Sequence, residues 1–209
     1  MNILDAQTVA YCEKIGLSAK VIASIDKYLV LLRKGNESCN LVGRQQDDHR
    51  ICHHHVIDCL LPFPFLPEGP GTVYDMGTGA GFPGILWAIA RPDLEFYLVE
   101  KSPKKCAFLT QTISALQLKN TQVINKRCEA VTGVASLIVS RAMASTKDLI
   151  SQTEQLADGK TQWWLMKALK SSIDEELAQG NLSHWTVNVQ PLLHPTQDVS
   201  RHLVCVTRT

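Results

Sequence analysis

The chain has 209 residues, 45% of them apolar, with 21 Lys and Arg against 20 Asp and Glu for a net charge of +1. That is enough for one domain plus extra helices around a real core, and it excludes a disordered chain, while the near-neutral balance neither demands nor forbids nucleic acid. The start, MNILDAQTVAYCEKIG, lacks the pattern of a signal peptide, no apolar run reaches the ~18 residues of a membrane span, and seven scattered cysteines read as a reduced, cytoplasmic protein.

The first part, 1–66, reads as a helical extension. Ser18 caps a helix whose apolar residues Val21, Ile22, Ile25, Tyr28, Leu29 and Leu32 recur at helical spacing, and Gly35 is expected to end it. A second helical pattern covers roughly 46–61. The run 62-PFPFLPEGPG-71, with four prolines and two glycines, marks a junction. Beyond it, 67–209 reads as a second domain, packed with the first as one unit. Strands are expected at 72–76, 94–100, 121–126, 134–140 and 161–166. Helices are expected at 83–90, 103–117 and about 146–157. Strands alternating with helices predict a mostly parallel sheet covered on both faces. The tail breaks the alternation: 185–190 and 201–208 are strand-like with no helix between, so an antiparallel edge is expected.

The stretch 73-VYDMGTGAGFPGILWAIA-90 is a strand, a glycine turn and a helix. Such a turn lies at the carboxyl end of the sheet, where open α/β folds bind ligands. Gly79, Gly81 and Gly84 satisfy a dinucleotide fingerprint, and Gly77, Gly79 and Gly81 satisfy a turn for S-adenosylmethionine. Asp75 separates the two. A pyrophosphate ~4 Å from it would cost about 4 kcal/mol at an effective dielectric of 20, whereas an ammonium and a sulfonium are favoured. Glu100, ending the next strand about 20 residues on, is placed to accept ribose hydroxyls from either ligand. S-adenosylmethionine is the favoured ligand. A NAD-binding oxidoreductase and a packing turn without ligand are the alternatives.

The runs 40-NLVG-43, 55-HVIDC-59, 75-DMGTGAGFPGI-85, 139-VSRAMAS-145 and 201-RHLV-204 together resemble the glucose-inhibited division protein B family, over nearly the whole chain. The resemblance implies a Rossmann-like class I S-adenosylmethionine-dependent methyltransferase, with a seven-stranded sheet and an N-terminal helical extension. It implies methylation of N7 of a guanine in 16S ribosomal RNA, as free RNA or in the small subunit. By the same resemblance Gly77 and Phe82 line the cofactor turn, Cys128 and Glu129 flank the adenine, and Arg141 belongs to the cofactor site. With Asp75, Gly79, Gly81 and Glu100 these complete the expected cofactor residues. Three positions depart from the family pattern: His54 stands at the Arg-His position, Glu100 replaces the commoner Asp, and Ala168 replaces the glycine after Lys167.

Guanine N7 attacks through an in-plane lone pair, so no general base is required and none is assigned. A methyltransferase for a small molecule or protein is the remaining alternative. From Arg91 to Lys147 nine Lys and Arg face four acids, a local excess that suits phosphate contact as well as a solvated helix face. Cys52, His55 and Cys59 would share a helical face, but zinc wants four ligands, usually from two segments, so no metal is expected. Trp163 and Trp164 read as core, and a monomer without membrane contact is expected.

Overall fold

A computed structural model of the chain describes residues 2–43, 46–141, 143–180 and 182–209. Ala142, within the 139–145 motif, lies outside the described residues. The chain opens with two helices, α1 (Ala6–Lys14) and α2 (Ala19–Asn36). Asp5 caps α1 by accepting from the Thr8 N–H at 2.8 Å, and Ser18 caps α2 through the Val21 N–H. α2 buries Ile22, Ile25, Tyr28, Leu29 and Leu32, the stripe its spacing predicts. Gly35 lies inside α2 rather than ending it. A Cβ there would sit 2.6 Å from the Phe108 ring, so the missing side chain lets α2 close on the helix that carries Phe108.

The pattern over 46–61 is three segments in line: α3 (Asp48–Ile51), a π-helical stretch (Cys52–Ile57) and α4 (Asp58–Leu60). Seven strands follow: β1 (Gly71–Met76), β2 (Leu94–Val99), β3 (Thr121–Ile124), β4 (Ala135–Arg141), β5 (Ala157–Lys167), β6 (Trp185–Pro191) and β7 (His202–Arg208). Between them run α5 (Gly84–Ala90), α6 (Pro103–Leu116), α7 (Thr146–Thr153) and α8 (Lys170–Gln179). α8 escapes the sequence pattern because it buries only Ile173.

The strands form one sheet in the order β3-β2-β1-β4-β5-β7-β6, with β1 to β5 parallel. β7 runs against both β5 and β6. The antiparallel strand is therefore second from the border. β7 buries Leu203, Val204 and Val206 completely, which suits an inner position. β6 alternates exposed Thr186 and Asn188 with half-buried Trp185 and Val187 and ends in Pro191, as a border strand tolerates.

Alternating strand residues feed two cores. Val73, Leu137, Val139 and Trp164 join Ile25, Leu29, Ile57, Leu60 and Trp87 on the face covered by the N-terminal helices and α5. Tyr74, Ile138 and Trp163 join Leu149 and Ile150 of α7 on the other. Trp163 and Trp164 are thus core, one on each face. The first core is continuous from Ile3 to the sheet. All seven cysteines are free, and no described helix is long and apolar enough to cross a membrane.

Candidate active site

The chain leaves β1 for β2 on one side of the sheet and later returns to β4 on the other, so a crevice opens at the carboxyl end of β1. The glycine turn fills its floor. Gly77, Gly79 and Gly81 have φ of +68°, +60° and +106°, a region that L side chains rarely adopt. The Gly77 and Thr78 N–H groups donate to the Val99 carbonyl at 3.0 and 3.1 Å, tying the turn to β2. A Cβ on Gly79 would meet nothing nearer than the Gly77 carbonyl at 3.9 Å, so this face of the turn is open.

Asp75 is fully buried beneath the turn. Its Oδ2 accepts from the Thr78 hydroxyl at 2.6 Å and the Gly84 N–H at 2.8 Å, while its buried Oδ1 has no partner. Burial pushes its pKa up to about 6, against opposing pulls from Thr78, Gly84 and Arg141, and Glu100 adds to the rise. Glu100, also buried, accepts from the Gly79 N–H at 3.2 Å and the Ser102 N–H at 2.8 Å. Each of its oxygens keeps a second lone pair, which is what vicinal ribose hydroxyls need. An orphaned anionic oxygen under the turn, an open glycine face and an acid with spare lone pairs together fit a cationic, ribose-bearing ligand.

The raised pKa has a stability consequence. Folding favours the protonated acid, so Asp75 contributes stability that is complete below its ordinary 3.8 and is lost as pH rises through about 6. The window is worth about 3 kcal/mol. Urea unfolding of the ligand-free protein at pH 5.5 and 7.5 should therefore show the wild type gaining on Asp75→Asn at the lower pH. A difference that does not change with pH would refute the raised value.

Beyond the turn, Phe82 organises a cluster. His55 stacks on its ring at 5.3 Å, Tyr28 meets it edge-on at 5.5 Å, and the Arg141 guanidinium lies over it at 5.4 Å. Arg141 donates to the His54 carbonyl at 3.2 Å and to His55 Nδ1 at 3.0 Å. Since Arg only donates, His55 Nδ1 is the bare nitrogen and Nε2–H donates to Gln46 Oε1 at 2.6 Å. Burial, then Arg141 and His54, lower the His55 pKa to about 4, so the ring is neutral at pH 7. The Tyr28 hydroxyl donates to the Ala80 carbonyl at 2.9 Å, linking α2 to the turn. Tyr28→Phe leaves that buried carbonyl short of a donor and should cost about 1–2 kcal/mol in urea unfolding; an unchanged midpoint would show the bond to be idle.

Cys128 lies in a short 3-10 turn after β3, buried, with Gln155 holding its carbonyl at 3.0 Å. Its Sγ is 3.9 Å from the Met143 sulfur, and Met143 lies against Gly77. Met143 thus bridges the turn and the expected adenine side. Glu129, next in sequence, is exposed. Lys167 donates to the Ala144 carbonyl at 3.2 Å and to Glu176 at 2.9 Å, and Glu176 also accepts from the Thr146 hydroxyl, so β5 and α8 together pin the segment after β4. A cavity of about 430 Å³ opens beside this segment at the carboxyl ends of β4 and β5, lined by Asp58, Arg141, Met166, Lys167, Arg201 and His202 among others.

The structure brings Asp75, Gly77, Gly79, Gly81, Phe82, Glu100, Cys128 and Arg141 to one end of the sheet. Sequence reasoning missed the roles of Tyr28, Met143, Glu176 and Arg201. Cys52, His55 and Cys59 do not converge: the π-helical stretch lowers the turn per residue and breaks their shared face. The Cys52 thiol donates to the Ile3 carbonyl, and His55 is taken by Arg141 and Gln46. Among the described residues, the group whose donor atoms do approach within 4.8 Å of one another is Asp5, His49 and His53, and there His53 pairs with Asp5 at 2.9 Å and with Thr196 at 2.7 Å. The basic strip divides. Exposed Lys101, Lys104, Lys126 and Arg127 follow the carboxyl ends of β2 and β3, on the side of the turn, while Arg91 and Lys119 precede β2 and β3 at the opposite end.

Residues 21–204 match the family model described as rRNA small subunit methyltransferase G. Among curated relatives, ribosomal RNA small subunit methyltransferase G 1 of Bdellovibrio bacteriovorus is 33% identical over 92% of this chain and 94% of its own. Ribosomal RNA small subunit methyltransferase G of Neisseria meningitidis serogroup B is 36% identical over 87% of this chain and 86% of its own. A SAM-dependent methyltransferase from Aquifex aeolicus shares the fold, with a TM-score of 0.60 at 13% identity over 84% of this chain and 98% of that one. So does a ribosomal protein L11 methylase from Lactobacillus delbrueckii subsp. bulgaricus, with a TM-score of 0.57 at 18% identity over 75% of this chain and 80% of that one.

Proposed function

The chain belongs to the rRNA small subunit methyltransferase G family, and we propose on that premise that it transfers the methyl group of S-adenosylmethionine to N7 of a guanine in 16S ribosomal RNA. We place it in the cytoplasm as a monomer, without metal or membrane contact, acting on the RNA or the small subunit. The observation that carries this reading is the switch-point glycine turn, with a cavity large enough to admit a base opening at Arg141 on the neighbouring strand.

Bound S-adenosylmethionine supplies an electrophilic methyl on a sulfonium, and everything else falls to the chain. Gly77, Gly79 and Gly81 let the backbone approach the methionine end, with Phe82 behind the turn. Asp75 sets the turn's shape through Thr78 and Gly84 and offers its unpartnered oxygen to a cation. Glu100 takes the ribose hydroxyls, and Cys128 and Glu129 border the adenine. Arg141, held by His54 and His55, stands where the turn meets the cavity. Guanine N7 has its lone pair ready, so no residue need remove a proton. Alignment alone supplies ~7–11 kcal/mol in favourable cases. The exposed cations after β2 and β3 suit phosphate contact near the site.

N7-methylguanine mapped in 16S ribosomal RNA from cells with and without this protein tests the reading. One guanine should lose its mark and regain it with the purified protein. Methyl transfer without RNA would favour a small-molecule or protein acceptor instead.

A further inference from the structure

We infer that the cavity at the carboxyl ends of β4 and β5 seats the extruded target base and that Asp58 is the group that selects guanine within it, because this otherwise buried acid lines the cavity and one of its oxygens has no donor among the described residues. The inference rests on the proposed methyl transfer to N7.

N7 lies on the deep, narrow major-groove edge of paired RNA, so the base must leave the stack to be reached. The cavity, about 430 Å³, falls in the range of ~300–1,000 Å³ usual for small-ligand sites. Its walls follow the sheet. Arg141 ends β4, the neighbour of β1 and its glycine turn, whereas Arg201 and His202 stand at the start of β7, two strands further on. Two strand spacings are about 10 Å. A purine presents N7 at one side and its Watson–Crick edge at the other. With N7 turned toward the glycine turn, N1–H and the 2-amino group point toward β7.

Asp58 waits there. Arg201 Nε donates to its Oδ1 at 2.9 Å and fixes the carboxylate. No hydrogen bond among the described residues reaches Oδ2, and that oxygen is not sealed from solvent. His194 comes no closer than 3.8 Å to Oδ1 and bonds to the His53 carbonyl instead. On the other wall the charged groups are already committed, Lys167 to Glu176 and Ala144, and Glu176 to Thr146, which leaves the neutral Ser172 hydroxyl beside them. Met166, Ile173 and Leu192 give the base faces an apolar bed, and exposed Leu169 stands at the mouth. Guanine offers a carboxylate two adjacent donors. Adenine turns the lone pair of N1 toward it, and hypoxanthine offers only N1–H.

The protein saturated with S-adenosylhomocysteine, titrated with GMP, IMP and AMP, tests this. The wild type should bind GMP at least about tenfold more tightly than AMP, with IMP between. Asp58→Asn keeps an acceptor for Arg201, so its unfolding midpoint and S-adenosylhomocysteine affinity should hold while the nucleotide preference collapses. A merely structural role would weaken all three nucleotides alike. Equal binding of the three by the wild type, no binding at millimolar concentration, or a preference intact in Asp58→Asn overturns the inference, and the first two need no variant to fold. Methylation of unmarked small subunits by the wild type is read in parallel. Its failure sinks the methyl-transfer reading, whereas success with an unselective cavity sinks only the role of Asp58.

Discussion

Gly77→Asp should lose at least about a hundredfold in affinity for S-adenosylhomocysteine, enough that calorimetry at concentrations saturating the wild type detects nothing. Three costs combine. Gly77 sits at φ +68°, where a non-glycine residue is strained by about 1–2 kcal/mol. Its Cβ would lie 2.5 Å from the Met143 sulfur and 2.9 Å from the Met143 Cγ, so Met143 must leave its place against Cys128. The new carboxylate would also stand beside Asp75, already buried and reluctant to ionise, and near Glu100. Gly69→Ala separates strain from site. Gly69 has φ +80°, but a Cβ there meets nothing within 4 Å. That variant should lower stability slightly and leave S-adenosylhomocysteine binding untouched. If Gly77→Asp binds within threefold of wild type, the turn does not hold the cofactor.

The glycine turn was legible because its demands are local: three positive φ values within five residues leave few choices but glycine, and the acid before them is adjacent in sequence. The parallel strands were legible for a similar reason, since strands buried on both faces write themselves as apolar runs. What stayed hidden depends on pairs far apart. Arg201 and Asp58 are separated by 143 residues, and Arg141 and His55 by 86. Neither member of such a pair carries a mark of its partner. The position of β7 was hidden too, because two antiparallel strands read alike whichever lies inward. Only the complete burial of Leu203, Val204 and Val206 decides it. The cysteine and histidine run, from which no metal was expected, departs from its pattern for a local reason. Its helical spacing assumed an α-helix, whereas Cys52–Ile57 is π-helical, with less turn per residue.

Arg141→Ala should lower kcat/KM for methyl transfer about 100-fold, the scale on which a misplaced reacting group is felt, with a smaller effect on S-adenosylhomocysteine affinity. The guanidinium spans three partners at once: the His54 carbonyl, His55 Nδ1 and the Phe82 ring. Removing it frees the wall between the turn and the cavity and leaves His55 Nδ1 without a donor. Arg141→Lys should recover little, because one ammonium cannot reproduce a planar fork that donates in two directions. The titration of His55 itself distinguishes this from a loss confined to Asp75 and the cofactor turn. Arg141 is the second cause, after burial, of the low His55 pKa near 4. Without it, His55 gains protons at higher pH and puts a cation against Phe82 in place of the lost one. The His55 ring, followed directly by NMR, should therefore titrate above its wild-type value of about 4, while Asp75, raised to about 6 and also held down by Arg141, moves up with it. A variant that loses rate with the His55 titration unmoved would mean that His55 and Arg141 act separately, and that Arg141 serves the cofactor alone.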